Sequence, residues 1–168
     1  MSALNLFMKG SSDDALVKAL GIEEQKQIGP FTLATCYAVV FANNMKHIHL
    51  HIQGKKFDNI HSITEEYYEQ ASEDSDYLAE LCIEKGHHVP NFCQAAQFIP
   101  VATVATMPEY DYKTAITDLA VYMGTYVSAL KALRETIPDD DIQSKLDDMI
   151  RYWNKELNFK NKQRFGQD

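Results

Sequence analysis

His49, His61, Glu65, Asp76 and Glu80 are the residues of this chain whose types and spacing suit chemistry, because all five are metal-ligand types. Mixed imidazole and carboxylate ligands suit Fe(II), and carboxylates hold the harder Fe(III) ion. At about 100° per residue, Glu65, Asp76 and Glu80 lie roughly 40°, 60° and 100° around a helix from His61, so these four share a face. They do not share a place. With a rise of about 1.5 Å per residue, Glu65 and Asp76 stand about 16 Å apart along the axis, whereas the ligands of one iron each lie about 2 Å from it. One chain cannot close such a site. If the stripe binds metal, a second, antiparallel copy of the helix must bring its Asp76 and Glu80 opposite His61 and Glu65. A Glu-rich helix facing solvent has a similar composition, so the stripe alone also reads as a solvated face.

The elements that position the stripe follow from periodicity and breakers. Pro30 suits a first helical turn, and the apolar-periodic run from Phe31 to Gln53 has no internal Gly or Pro before Gly54. A second helix is expected from Phe57 to Lys85, ended by Gly86, and it bears the stripe. Pro90, Pro100 and Pro108 break the next stretch into a crossover, with a short helix expected over Asn91 to Phe98. Apolar residues at helical spacing from Ile116 to Leu133 predict a third long helix over Asp111 to Thr136. The acidic turn Asp139-Asp140-Asp141 then starts a last helix to about Lys162, since carboxylates suit the positive end of the helix dipole. Two long helices, a long crossover and two more long helices make an all-α four-helix bundle of the ferritin-like kind. Residues 1–168 are expected to form one domain: an arm over 1–29, the bundle over 30–164 and a tail over 165–168.

Composition narrows the function. A chain of 168 residues with 45% hydrophobic content fits one ordinary core. Its net charge of −8 and pI near 5.2 argue against general coating of nucleic acid. Cys36, Cys82 and Cys93 are odd in number and show no CxxC spacing, so no disulfide framework or zinc knuckle is indicated, and all three are expected to be buried packing residues. No charged N-terminal region precedes an apolar run, and no apolar stretch is long enough to span a bilayer. The expectation is a cytoplasmic protein without membrane association.

The stretch from His49 through Gly54, Phe57 and His61, then Glu65, then Asp76 and Ala79-Glu80, resembles the signature of the Dps miniferritins. In that family a first-helix His is followed, after a Gly and a Phe, by a second His, an acid four on, an Asp eleven further, and Ala-Glu. The resemblance implies a dodecameric shell that oxidises Fe(II) with hydrogen peroxide or oxygen, stores the ferric product inside and protects DNA from oxidative damage. It implies ferroxidase sites at two-fold interfaces, with His49, His61 and Glu65 from one subunit and Asp76 and Glu80 from its neighbour. Two positions depart from the pattern. Members commonly have Asp where this chain has Glu65, and Trp where it has Leu50; a role of that Trp in electron transfer would pass to Tyr67 or Tyr68.

Other residues carry two readings each. His47 and His51 face together, four apart, and hydrogen bonding is favoured over a second metal site. His87 and His88 suit a helix end, and Glu84 with His87 spells ExxH only across the break at Gly86. Asp139, Asp140 and Asp141 read equally as a helix cap and, by the resemblance, as a cation-attracting pore. DNA binding has weak support: the arm sets Lys9 and Lys18 against Asp13 and Asp14, while Lys155, Lys160, Lys162 and Arg164 form a basic cluster at the other end. A DNA-compacting shell with a degenerate iron site is therefore the alternative to the ferroxidase.

Overall fold

The computed structural model describes residues 28–165, in which four long helices form the bundle. Helix α1 spans Pro30–His51 and α2 spans Phe57–Glu84. The short α3 covers Phe92–Phe98, and a single 3-10 turn follows at Val101–Thr103. Helix α4 runs over Tyr112–Thr136 and α5 over Asp140–Lys155. A π turn at Glu156–Lys160 leads into α6, Asn161–Phe165. The proposed arm lies outside the described residues except for Ile28 and Gly29.

The boundaries have local causes. Pro30 occupies the first turn of α1, where a missing N–H costs nothing. Gly54 and Gly86 take positive φ values of 97° and 78°, the left-handed conformation that ends a helix or turns the chain. Asp111 caps α4 by accepting from the Thr114 N–H, and Asn91 and Gln94 close a capping box on α3. The last helix departs from the expected uniform α-helix: the π turn interrupts it just beyond Trp153.

On α2, Ile60, Thr64, Tyr67, Ala71, Asp74, Leu78 and Leu81 are buried in alternating steps of four and three, which is the seam a bundle helix turns inward. They meet Ala38, Phe41, Met45 and Ile48 of α1 and Leu119, Met123 and Leu130 of α4 in one core. Phe41 stacks on Tyr126 with centroids 4.4 Å apart and takes the edge of Trp153 at 4.7 Å. The crossover is tied down at two points. Asn44 donates to the Thr103 carbonyl and accepts from the Ala105 N–H, and Tyr110 exchanges backbone hydrogen bonds with His51 and Gln53. The second tie sets the start of α4 beside the end of α1, so the two run in opposite directions and the last turn of α1 is held in place.

Candidate metal centre

Two residues of the stripe meet within one chain. His49 lies in the last turn of α1 and His61 in the second turn of α2, and the tight connection through Gly54 brings their rings face to face. The centroids are 3.8 Å apart with 24° between the planes. Nδ1 of His49 is 3.0 Å from the His61 carbonyl oxygen, and Nδ1 of His61 is 3.0 Å from the His49 carbonyl oxygen. A carbonyl can only accept, so each Nδ1 carries the proton and donates. The bond to His49 has a backbone cause: the final carbonyls of a helix have no partner inside it, and the Gln53 N–H that would have served His49 turns to Tyr110 instead. With Nδ1 protonated, each neutral imidazole keeps its lone pair on Nε2. A histidine whose other nitrogen donates to a carbonyl is the form in which imidazole ligates metals.

Two further rings bracket this pair. Phe57 stacks on His61 with centroids 4.7 Å apart, and Tyr68 turns its ring at 65° to His49 at 5.1 Å. His49 is buried and His61 half-buried.

The three acids behave differently. Glu65, one turn beyond His61, is exposed, and so are Asp76 and Glu80 further along α2. At about 1.5 Å per residue Asp76 stands about 22 Å along the axis from His61. Among the described residues no three His, Cys, Asp or Glu side chains gather into a cluster that could hold a metal ion. The chain thus presents a histidine pair, with Glu65 one turn further along α2, and two exposed carboxylates well separated from it. Leu50, 63% exposed, projects an apolar side chain next to His49.

Several of the remaining candidates have partners within the chain. His47 donates from Nε2 to the Met107 carbonyl, and His51 bonds from Nδ1 to the carbonyl of His47, so this pair serves hydrogen bonding. Asp139 caps α5 by accepting from the N–H groups of Asp141 and Ile142, while Asp140 and Asp141 are exposed in the first turn. His87 stacks against Phe31, and Glu84 is the last residue of α2. Cys36 and Cys82 are buried as expected, and burial pushes the Cys36 thiol up to about 11. Cys93 is a correction: it lies exposed on the two-turn α3, too short a helix to bury all its sides. The basic cluster is also changed, since Lys160 and Arg164 both turn to the carboxylate of Glu156. The two adjacent tyrosines part company: Tyr68 stands at His49, whereas Tyr67 is fully buried in the bundle core.

A polar cluster inside the bundle has no counterpart in the stripe. Asp74, 3% exposed, accepts from Trp153 Nε1 at 2.7 Å, from Gln70 at 3.1 Å and from the Tyr126 hydroxyl at 3.4 Å. Burial raises its pKa against the pull of those donors. Glu156, 1% exposed, accepts from the Tyr67 hydroxyl, which also reaches Asn161. The signal for Asp74 was available, because its phase on α2 is that of Tyr67, Ala71 and Leu78.

No family model and no curated protein matches the chain. Solved structures do. A Dps from Staphylococcus aureus aligns with a TM-score of 0.72 at 17% identity, covering 83% of this chain and 94% of that one. A mutant Dps from Listeria innocua gives 0.73 at 15%, covering 82% and 93%. A Vibrio cholerae Dps, described as one of a broad superfamily of ferritin-like diiron-carboxylate proteins, gives 0.69 at 20%, covering 76% and 82%. The chain has the ferritin-like fold of the Dps miniferritins. The resemblance expected from the sequence is borne out at the level of fold.

Proposed function

We propose that this protein is a ferroxidase of the miniferritin type, which binds Fe(II) as substrate between two copies of the chain and stores the oxidised product in a dodecameric shell. The observation that carries this reading is the reciprocal bonding of His49 and His61, which engages each Nδ1 and leaves the Nε2 lone pairs for a metal, with Glu65 one turn further along α2. Asp76 and Glu80 of a second, antiparallel copy complete the ligand set. The Listeria innocua structure is of a variant in which two histidines, twelve residues apart, are replaced by glycine; His49 and His61 have the same separation.

In the reaction, two Fe(II) ions give one electron each to hydrogen peroxide, and the O–O bond breaks. With two waters the products are two FeO(OH) units and four protons. The residues of the chain bind and orient the ions: neutral imidazoles suit the Fe(II) substrate, and the carboxylates of Glu65, Asp76 and Glu80 favour the Fe(III) product. A short ligand list leaves coordination positions for the oxidant. Oxygen is the other oxidant the reading allows. Removing Fe(II) and peroxide together protects DNA without contact with it. That accords with the net charge of −8 and with the pairing of Lys160 and Arg164 to Glu156, which lowers the local positive charge. The proposed compartment is the cytoplasm, and no helix among the described residues is long and apolar enough to cross a membrane.

The test is to load metal-free protein with Fe(II) under anaerobic conditions, add peroxide, and follow ferric absorbance. Rapid oxidation is expected in the wild type and a loss of at least roughly 10-fold in rate in the His49→Ala, His61→Ala double variant, a scale typical of removing metal ligands or their supports. Slow oxidation in the wild type, or an unchanged rate in the variant, refutes the proposal.

A further inference from the structure

We infer that Phe57 and Tyr68 are positioning residues for the two imidazoles, forming with them a four-ring clamp that keeps both Nε2 atoms presented to one metal site. The inference rests on the ferroxidase reading and assigns a role to two side chains that bind no metal themselves.

Helical spacing places Phe57, His61 and Tyr68 within roughly 40° of one another on α2, at one turn before and two turns after the histidine. The side chain of His49 enters from α1 between the His61 and Tyr68 rings. The order along the face is then Phe57, His61, His49, Tyr68, with successive centroids 4.7, 3.8 and 5.1 Å apart. The two carbonyl hydrogen bonds fix which nitrogen of each ring is protonated. Each ring is placed by its two side-chain torsions, and one hydrogen bond at Nδ1 does not fix both, so the direction of Nε2 also depends on what lies against the ring faces. Phe57 covers the outer face of His61, and the edge of Tyr68 stops His49 from swinging away along α2. Neither contact requires the Tyr68 hydroxyl.

The experiment compares wild type with Tyr68→Phe, Tyr68→Leu and Phe57→Leu, each first shown by light scattering to reach the wild-type assembled mass. Co(II), which peroxide-free buffer leaves in its divalent state, replaces Fe(II) as the probe, and its d–d absorption reports both affinity and coordination geometry. Crystal structures of the metal-free variants supply the second readout. Tyr68→Phe should match the wild type in both. Tyr68→Leu and Phe57→Leu should each weaken Co(II) binding by about 10-fold, the scale found for groups that orient metal-ligating histidines. Their crystals should show His49 or His61 rotated out of the 3.8 Å stack. Rings that stay in place in both leucine variants overturn the inference, and so does wild-type affinity in both. The two readings fail separately: if the wild type takes up no Co(II) but the rings move, the metal-site reading falls while the positioning of the imidazoles by Phe57 and Tyr68 stands. Strong wild-type binding with an unmoved stack gives the reverse.

Discussion

Asp74 shows what a single carboxylate can do for a helical core. It is drawn into the bundle by donors from three places: Trp153 on α5, Tyr126 on α4 and Gln70 one turn earlier on α2. A buried acceptor without those donors would be strongly unfavourable, so the cluster fixes which face of each helix turns inward. Burial still dominates its titration, and the folded-state pKa lies above the ordinary value of 3.8. A carboxyl whose pKa is raised on folding binds its proton more tightly in the folded chain. Its contribution to stability is therefore full at acid pH and is lost as pH rises from about the unfolded value through the raised one. Asp74→Asn removes that titration while keeping the shape and one acceptor oxygen. The expected outcome, read from thermal melts between pH 4 and pH 7, is a Tm difference that moves in favour of the Asn variant as pH increases. A difference independent of pH would show that Asp74 is not perturbed in this way.

At the scale of elements, most of the bundle was legible because its boundaries rest on residues with strong local preferences. Pro30, Gly54, Gly86, Asp111 and Asp139 each act within a few positions of where they stand, and the observed helix limits fall within two residues of those expected for α1, α2 and α4. The exposed acidic stripe of α2 was legible for the same reason. The ring clamp was not, because it depends on α1 inserting a side chain between two residues of α2, a relation between elements that periodicity along one of them does not contain. The π turn was hidden in a similar way. Nothing in the sequence Glu156 to Lys160 forbids a continuing α-helix. The widened turn places Glu156 where Tyr67, Lys160 and Arg164 all reach it, and Asn161 where its amide reaches Met123. Glu156→Gln removes the charge that gathers the two cations but keeps an acceptor for Tyr67. Since both cations are about one-third exposed and can return to water, the cost should be modest, about 1 kcal/mol in urea unfolding. Amide exchange confined to residues 156–165 should quicken with it, and protection equal to wild type there would mean the turn is held by packing alone.

For the whole molecule, the consequence of a divided stripe is that activity should belong to a pair of chains rather than to one. In the proposed two-fold interface each subunit would give the same patch, so every pair would contain two sites, each with the histidines of one copy and the carboxylates of the other. This arrangement makes an unusual genetic signature. Let one variant carry His49→Ala and His61→Ala, and another carry Asp76→Ala and Glu80→Ala. Each homogeneous shell lacks half of every site and should be inactive. In a mixed pair, one site receives both sets of substitutions, while the other combines the intact histidines of the second variant with the intact carboxylates of the first. Random co-assembly of equal amounts makes half of the pairs mixed, so roughly one quarter of all sites should be whole and the initial rate of Fe(II) oxidation should recover in proportion. Mixing the two after separate assembly should restore nothing, which separates repair of shared sites from additive residual activity. If instead the sites lay within single chains, co-assembly would leave the rate where the homogeneous variants set it. The exposure of Glu65, Asp76 and Glu80, with His49 and His61 paired at the far end of the same stripe, is the arrangement that makes recovery the expected result.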